Sequence, residues 1–309
     1  MTTTDAYPLE VAYVELESPD PAALARYLGD VVGLMPGLPH ADGAPTWRND
    51  HKAWRLQVQT GPRQDAVCVG FEARDETAWR QTLERLQGAG FAVTHGSAQD
   101  ASARQVKALA RTLSPWGVGI EIVWGLAEAD TAFASPHFPH GFVTRGQGFG
   151  HVVFALSAEV YDDARRFAID GLGMRLSDWL RLPLGPGAEM HVSFLHCNAR
   201  HHSLALACVP GPMPPQRLHH LNIEVASVEA VGQAQERALA SRTPLANTLG
   251  QHDNDGMVSF YSVSPDGWRV EVGATGRVVG PDWNDVREYD RISRWGHQPP
   301  DILTDLLSA

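Results

Sequence analysis

The chain has 309 residues, 43% of them hydrophobic and 20% charged, an ordinary globular balance with length for one large or two medium domains. A formal net charge of -11 argues against nucleic acid or an anionic membrane as a partner, since both attract basic patches. No apolar run approaches the roughly 20 residues needed to span a bilayer.

In chain order, Met1 to Glu10 lacks the basic and apolar segments of a signal peptide. Val11 to Ser18 alternates as a strand, and Pro19-Asp20-Pro21 opens a helix over about 22–32 that Gly33 closes. Strands follow at 54–59 and 67–73, then a helix at 76–87 stopped by Gly88-Ala89-Gly90. Further strands lead to Val118–Val123. Ser135 to Gly148, rich in Pro, His and Gly, reads as a linker. After it the pattern restarts: a strand at 149–156, a helix at 159–170, and strands at 175–181, 190–197 and 202–209. A strand at 218–226 and a helix at 228–240 follow. The chain then runs through the polar loop from His252 into a hairpin, Met257–Val263 and Arg269–Val272, turned by Pro265-Asp266-Gly267.

The restart is an internal duplication. Ser114-Pro115-Trp116-Gly117 with Glu121 matches Ser264-Pro265-Asp266-Gly267 with Glu271, and Val67–Ala73 matches His219–Val225. The first strands align Tyr13 with His151. Three equivalent positions therefore read Tyr13, Cys68, Glu121 in the first half and His151, His220, Glu271 in the second. Glu271 stands between Val270 and Val272 on a half-buried strand, where a carboxylate needs a cation or a proton. Two imidazoles and one carboxylate leave several coordination positions open, the ligand set expected of a non-haem Fe(II) oxygenase. A structural zinc site would instead close four ligands, often with Cys at short spacing. His219 competes with His220, and strand register decides between them. His201 and His202 should face opposite ways, so one of the two, with His252 and Tyr261, makes three candidates for proton chemistry.

The segments GFGHVVFAL, FLHCNARHHSLAL, LHHLNIEV and HDNDGMVSFYSVSPDGWRVEVG resemble the signature stretches of type I extradiol catechol dioxygenases of the vicinal oxygen chelate superfamily. The likeness is strongest to the two-domain 2,3-dihydroxybiphenyl 1,2-dioxygenase group, and it extends through the tail Trp283 to His297. It implies an α+β fold of two tandem domains, each of two βαβββ modules (the glyoxalase-like fold). The boundaries would be an N-terminal metal-free domain at 1–134, a linker at 135–148, a catalytic domain at 149–280 and a tail at 281–309. It implies Fe(II), with Mn(II) as the alternative metal, held by His151, His220 and Glu271. His202 matches the acid-base residue, and His252 and Tyr261 match residues beside the oxygen and substrate hydroxyl. Val153, Phe194, Asn254 and Asp255 match positions lining the substrate cavity. The expected partners are a catechol, bicyclic or substituted, and O2, with neither nucleic acid nor membrane, in a homo-oligomer serving aromatic-compound catabolism. Cys68, Cys197 and Cys208 form no CxxC pair, which suits a reducing cytoplasm.

Ser264, Gln251 and Gly256 depart from the usual residues around the last motif; none touches the triad, so they bear on cavity shape. Two other readings use the same scaffold. A non-catalytic small-molecule binder has no use for a triad with proton-handling neighbours. A glyoxalase-like isomerase calls for a further carboxylate ligand, and none is placed for it.

Overall fold

A computed structural model describes residues 7–41 and 43–300 and places its strands in two sheets. The first half contributes β1 (Leu9–Ser18), α1 (Pro21–Arg26), β2 (Met35–Pro36), β3 (Thr46–Arg48), β4 (Leu56–Thr60), β5 (Asp65–Ala73), α2 (Glu76–Gly88), β6 (Thr94–His95), α3 (Ala98–Ala103), β7 (Ala108–Leu113) and β8 (Gly119–Trp124). The second contributes β9 (His151–Leu156), α4 (Ala158–Arg166), β10 (Arg175–Gly185), β11 (Ala188–His196), β12 (Leu204–Cys208), β13 (Leu218–Glu224), α5 (Val228–Ala240), β14 (Leu245–His252), β15 (Val258–Val263) and β16 (Arg269–Ala274). Past residue 280, β17 (Glu288–Tyr289) and β18 (Ser293–Trp295) join the two edges of the second sheet. This is the α+β fold anticipated from the duplication, one strand-helix-three-strands unit repeated four times. Residues 301–309 of the expected tail lie outside the described residues.

Local chemistry explains the helices. Asp20, Asp75 and Ser227 each cap a helix by accepting a backbone N–H three residues on, and Pro21 supplies a preset φ in the first turn. In α2, Trp79, Leu83 and Leu86 recur at helical spacing and bury one stripe. The helices expected to end near 32 and 170 instead pass into a widened π turn, Tyr27–Val31 and Phe167–Gly171, at equivalent places in the two halves. The short helix α3 was not legible in the sequence, although its Ser97–Asp100 capping box is a recognisable start signal.

The strand pairing positions the site. In the second sheet β13 lies at the centre, antiparallel to β9 and parallel to β16, so the two units of that half meet there. Val152 and Phe154 turn to the helix-covered face and Val153 to the other, the period-2 alternation of a strand. The helix-covered faces of the two sheets share one core. Trp116 of the first half lies 5.6 Å from Phe154 and 5.7 Å from Phe167 of the second. Each such fully buried aromatic side chain is worth roughly 1.5–3 kcal/mol of burial, so the halves are held together by their core. Both outer faces are left for other uses. No helix among the described residues is long and apolar enough to cross a membrane.

Candidate metal centre and cavity

His151 opens β9, His220 lies on β13 and Glu271 on β16, three neighbouring strands. Asn222 pairs with His151 on one side and Glu271 on the other, so all three project from one face, and His220, two residues earlier, joins them. Gly150 makes the approach of β9 to β13 feasible, because a Cβ there would sit 1.9 Å from the Asn222 carbonyl oxygen. The result is convergence. His151 Nε2 lies 3.1 Å from His220 Nε2 and 3.2 Å from Glu271 Oε2, and His220 Nε2 lies 3.5 Å from the same oxygen. All three residues are buried.

Three lone-pair atoms crowd at this point. Burial pushes His151 down to about 4 and lowers His220 as well, so both imidazoles are neutral donors of a lone pair at neutral pH. Burial works to raise the Glu271 pKa, but its close contacts with His151, His220 and His252 outweigh it and hold the group well below its ordinary range. Ligand atoms at about 2.1 Å from an octahedral ion are about 3 Å apart, so the spacing suits one divalent cation with its other positions free.

Surrounding groups orient the carboxylate. Its second oxygen, Oε1, accepts from Ser259 Oγ at 2.6 Å and Tyr261 Oη at 2.8 Å, and His252 Nε2 lies 3.1 Å away. Asn222 Nδ2 donates to Oε2 at 3.0 Å. Burial pushes the His252 pKa down, yet its hydrogen bond and charge attraction to Glu271 carry it up to about 9. His252 Nε2 also lies 2.7 Å from Tyr261 Oη, and its Nδ1 lies 3.1 Å from the Ile292 carbonyl oxygen. His297 stacks 4.3 Å from the His252 ring and reaches Ser259 Oγ at 3.2 Å. Such outer groups fix ligand orientation and are part of a metal site.

Above the triad lies a cavity of about 170 Å³. Val153, Phe194, Asn254 and Asp255 all line it, as do His202, His252 and Tyr261. Its upper wall is apolar: Leu180, Met190, Val192, Ala207 and Val209. Asn254 is buried, and its Nδ2 has no hydrogen-bond partner, which leaves a donor for whatever enters. His202 packs 3.9 Å over the His151 ring and 4.9 Å from Phe194. Burial, reinforced by His151 and His201, holds the His202 pKa well below the usual histidine range.

Three details differ from the sequence reading. Arg200 to Ser203 lie in a turn before β12 and do not open the strand. Arg200 ties that turn down by a buried ion pair to Glu224 and a bond to the Val143 carbonyl oxygen. His252 ends β14 instead of starting a loop. His219 does not turn to the opposite face. Pairing skips from Leu218 to His220 against β9, and this bulge lets His219 line the cavity as well, its Nδ1 2.7 Å from His220 Nδ1. The sequence reading also missed Ser259, Asn222 and His297, and the tail residues Tyr289, Arg291 and Ile292 that line the cavity. Of these, Asn222 alone had a signal in the sequence, its place on the strand between those of His151 and Glu271.

The sheets and the three-ligand face define a class, and residues 148–272 match the model of the glyoxalase/bleomycin resistance protein/dioxygenase superfamily. Within that class the chain belongs to the extradiol dioxygenases. It is 39% identical to biphenyl-2,3-diol 1,2-dioxygenase of Metapseudomonas furukawaii over 93% of each chain. It is 34% identical to an iron-dependent extradiol dioxygenase of Rhodococcus jostii, over 93% of this chain and 96% of that one. Among solved structures, a halotolerant catechol dioxygenase superposes with a TM-score of 0.84 at 31% identity, covering 96% of this chain and 97% of that one.

Proposed function

We propose that the chain is an Fe(II)-dependent extradiol dioxygenase that opens the ring of a catechol beside its diol, consuming O2. The observation that carries this is the convergence of His151, His220 and Glu271 at 3.1–3.5 Å beneath an apolar cavity. Bound there, Fe(II) would supply Lewis acidity toward a chelating diol and a coordination position for O2. Everything else is the work of side chains. Ser259, Tyr261 and His252 hold Glu271 Oε1, which leaves Oε2 for the metal face. His202, neutral because it is buried, takes a proton from the entering diol and returns it to the opened product. Asn254 offers its free N–H₂ to a substrate oxygen. Phe194, Leu180, Met190 and Val192 receive the apolar part of the ring and exclude water, which favours a substituted or bicyclic diol.

A binder without chemistry would not need the triad, and an isomerase would want a further carboxylate ligand. Asp255, which lines the cavity with Glu271, instead accepts from the Met257 N–H at 3.0 Å and lies 3.9 Å from His202. The reducing cytoplasm fits three free cysteines. The test is anaerobic loading with Fe(II) or Mn(II), metal analysis, and then aerobic assay with catechol, 3-methylcatechol and 2,3-dihydroxybiphenyl. Stoichiometric O2 uptake and a yellow ring-opened product are expected; a metal-loaded protein that binds these diols without consuming O2 would overturn the reading.

A further inference from the structure

Behind His202, outside the cavity wall, lies a pair of residues that the proposed chemistry has not used. Asp178, on β10, is fully buried, and no Arg or Lys side chain among the described residues bonds it. Its Oδ1 accepts the Arg287 backbone N–H at 3.0 Å, and its Oδ2 lies 2.7 Å from His201 Nε2. A buried carboxylate is too costly to leave without a cation or a strong donor, and His201 is the group placed to serve it. His201 is itself buried, and its Nδ1 lies 3.2 Å from His202 Nδ1, with the two rings nearly perpendicular at 89°.

Proton counting along this row leaves few arrangements. A carboxylate only accepts, so His201 Nε2 carries a hydrogen. When His201 is neutral its Nδ1 is a lone pair, and His202 Nδ1 must then carry the hydrogen between them. That assigns the lone pair of His202 to Nε2, the basic form of the residue. When His201 is an imidazolium, it donates in both directions and His202 carries its hydrogen on Nε2, the acidic form. The two states differ only in where protons sit.

We propose that Asp178 and His201 form a proton relay behind His202. Resting on the catechol-cleaving reading above, it works as follows. A diol O–H proton passes to His202 Nε2 while the His202 Nδ1 proton passes to His201 Nδ1. One O–H and one N–H bond break and two N–H bonds form; the diol oxygen becomes anionic and the positive charge appears on His201. His202 stays neutral throughout. The charge thus settles against the Asp178 carboxylate at 2.7 Å, away from the His151 ring 3.9 Å from His202, where it would face the metal. The reverse passage returns the proton to the product. An aspartate orienting a histidine through one ring nitrogen so that the other can act is a recurrent arrangement in acid-base catalysis. His201 and Asp178 are positioning residues, since neither lines the cavity. As the alternation implied, His202 lines the cavity and His201 does not, but one nitrogen of His201 still reaches His202.

The test uses the iron-loaded full chain and four variants: Asp178→Asn, His201→Ala, His202→Ala and Asp178→Asn/His202→Ala. Asp178→Asn, an isostere, should keep iron content and leave KM for catechol within about twofold while kcat falls by about 10-fold or more. In the His202→Ala background it should cause no further loss, because the relay acts through His202. Ring ¹⁵N signals of histidine-labelled protein should show His202 as the Nδ1–H form in the wild type and a mixture in Asp178→Asn, a readout independent of turnover. Wild-type kcat with unchanged His202 signals in Asp178→Asn would overturn the relay, as would an equal loss added on top of His202→Ala. If His201→Ala fails to fold, Asp178→Asn carries the test. Failure of the iron-loaded wild type to cleave any catechol would instead strike the functional reading, and the ¹⁵N signals would still decide the relay.

Discussion

The two halves carry the same sheet face with opposite contents. In the second, His151, Asn222 and Glu271 stand opposite one another across three strands; in the first, register places Tyr13, Gly70 and Glu121 in the same relation, with Cys68 where His220 would be. Gly70 in place of Asn222 lets the Tyr13 ring lie across the strand, since a Cβ there would come within 2.4 Å of it. Tyr13 stacks on Trp54 at 4.1 Å and donates to Glu121 Oε2 at 2.6 Å. The inserted helix α3 then delivers Arg104 over this face. The guanidinium meets Glu121 at 2.9 Å and Glu15 at 2.7 Å, and Arg111 meets Glu121 at 3.0 Å. Both halves thus answer the same problem, a buried glutamate that needs positive charge. One supplies it with fixed arginines and closes the face, while the other offers neutral imidazoles and keeps a cavity. A βαβββ pair provides a platform, and the side chains at four positions decide whether it is a site.

The sharpest way to break the comparison is at those positions. His151→Ala, His220→Ala or Glu271→Ala should each abolish iron binding and ring cleavage in a folded protein, while Tyr13→Phe and Cys68→Ala leave one iron per chain. Metal analysis on all five separates the halves, and wild-type iron in any triad variant would end the assignment. Next in size is His202→Phe, expected to retain iron and bind catechol but to lose roughly 10²–10⁴-fold in turnover, as measured by steady-state kinetics.

Arg104→Ala should act on stability alone. It strands Glu15 in a buried face and leaves Glu121 with Arg111 as its ion-pair partner, and breaking such pairs costs roughly 3–5 kcal/mol, visible in denaturant unfolding with iron content unchanged. The smallest effect is a pH dependence. Burial tends to raise the Glu121 pKa, but Arg104, Tyr13 and Arg111 outweigh it and leave the group below its ordinary 4.5. Since the folded value is the lower one, this carboxylate contributes stability above about pH 4.5 that fades as pH falls through the folded value. Glu15, raised by burial despite Arg104, works in the opposite sense, so the comparison should be made against Glu121→Gln. The stability gap between that variant and the wild type should be widest near neutrality and narrow on acidification; a gap independent of pH would show that Glu121 is not held as an ion.

Much of this was written locally. Alternation and helix caps mark most strands and four of the five helices, and the repeat aligns His151, His220 and Glu271 with Tyr13, Cys68 and Glu121 without any structure. Period-2 geometry also places each triad residue on a predictable strand face. Other features depend on partners far away in the chain. The bulge that brings His219 to the cavity exists only because β13 pairs with β9 some seventy residues earlier. Asp178 reaches His201 through the folding of β10 and β11 past one another, and the tail strand β18 reaches β14 to put His297 beside His252. Local sequence dictates which side chains share a face, because backbone geometry repeats every two or 3.6 residues. Which faces meet is a matter of register and core packing between distant segments, and only the folded chain decides that.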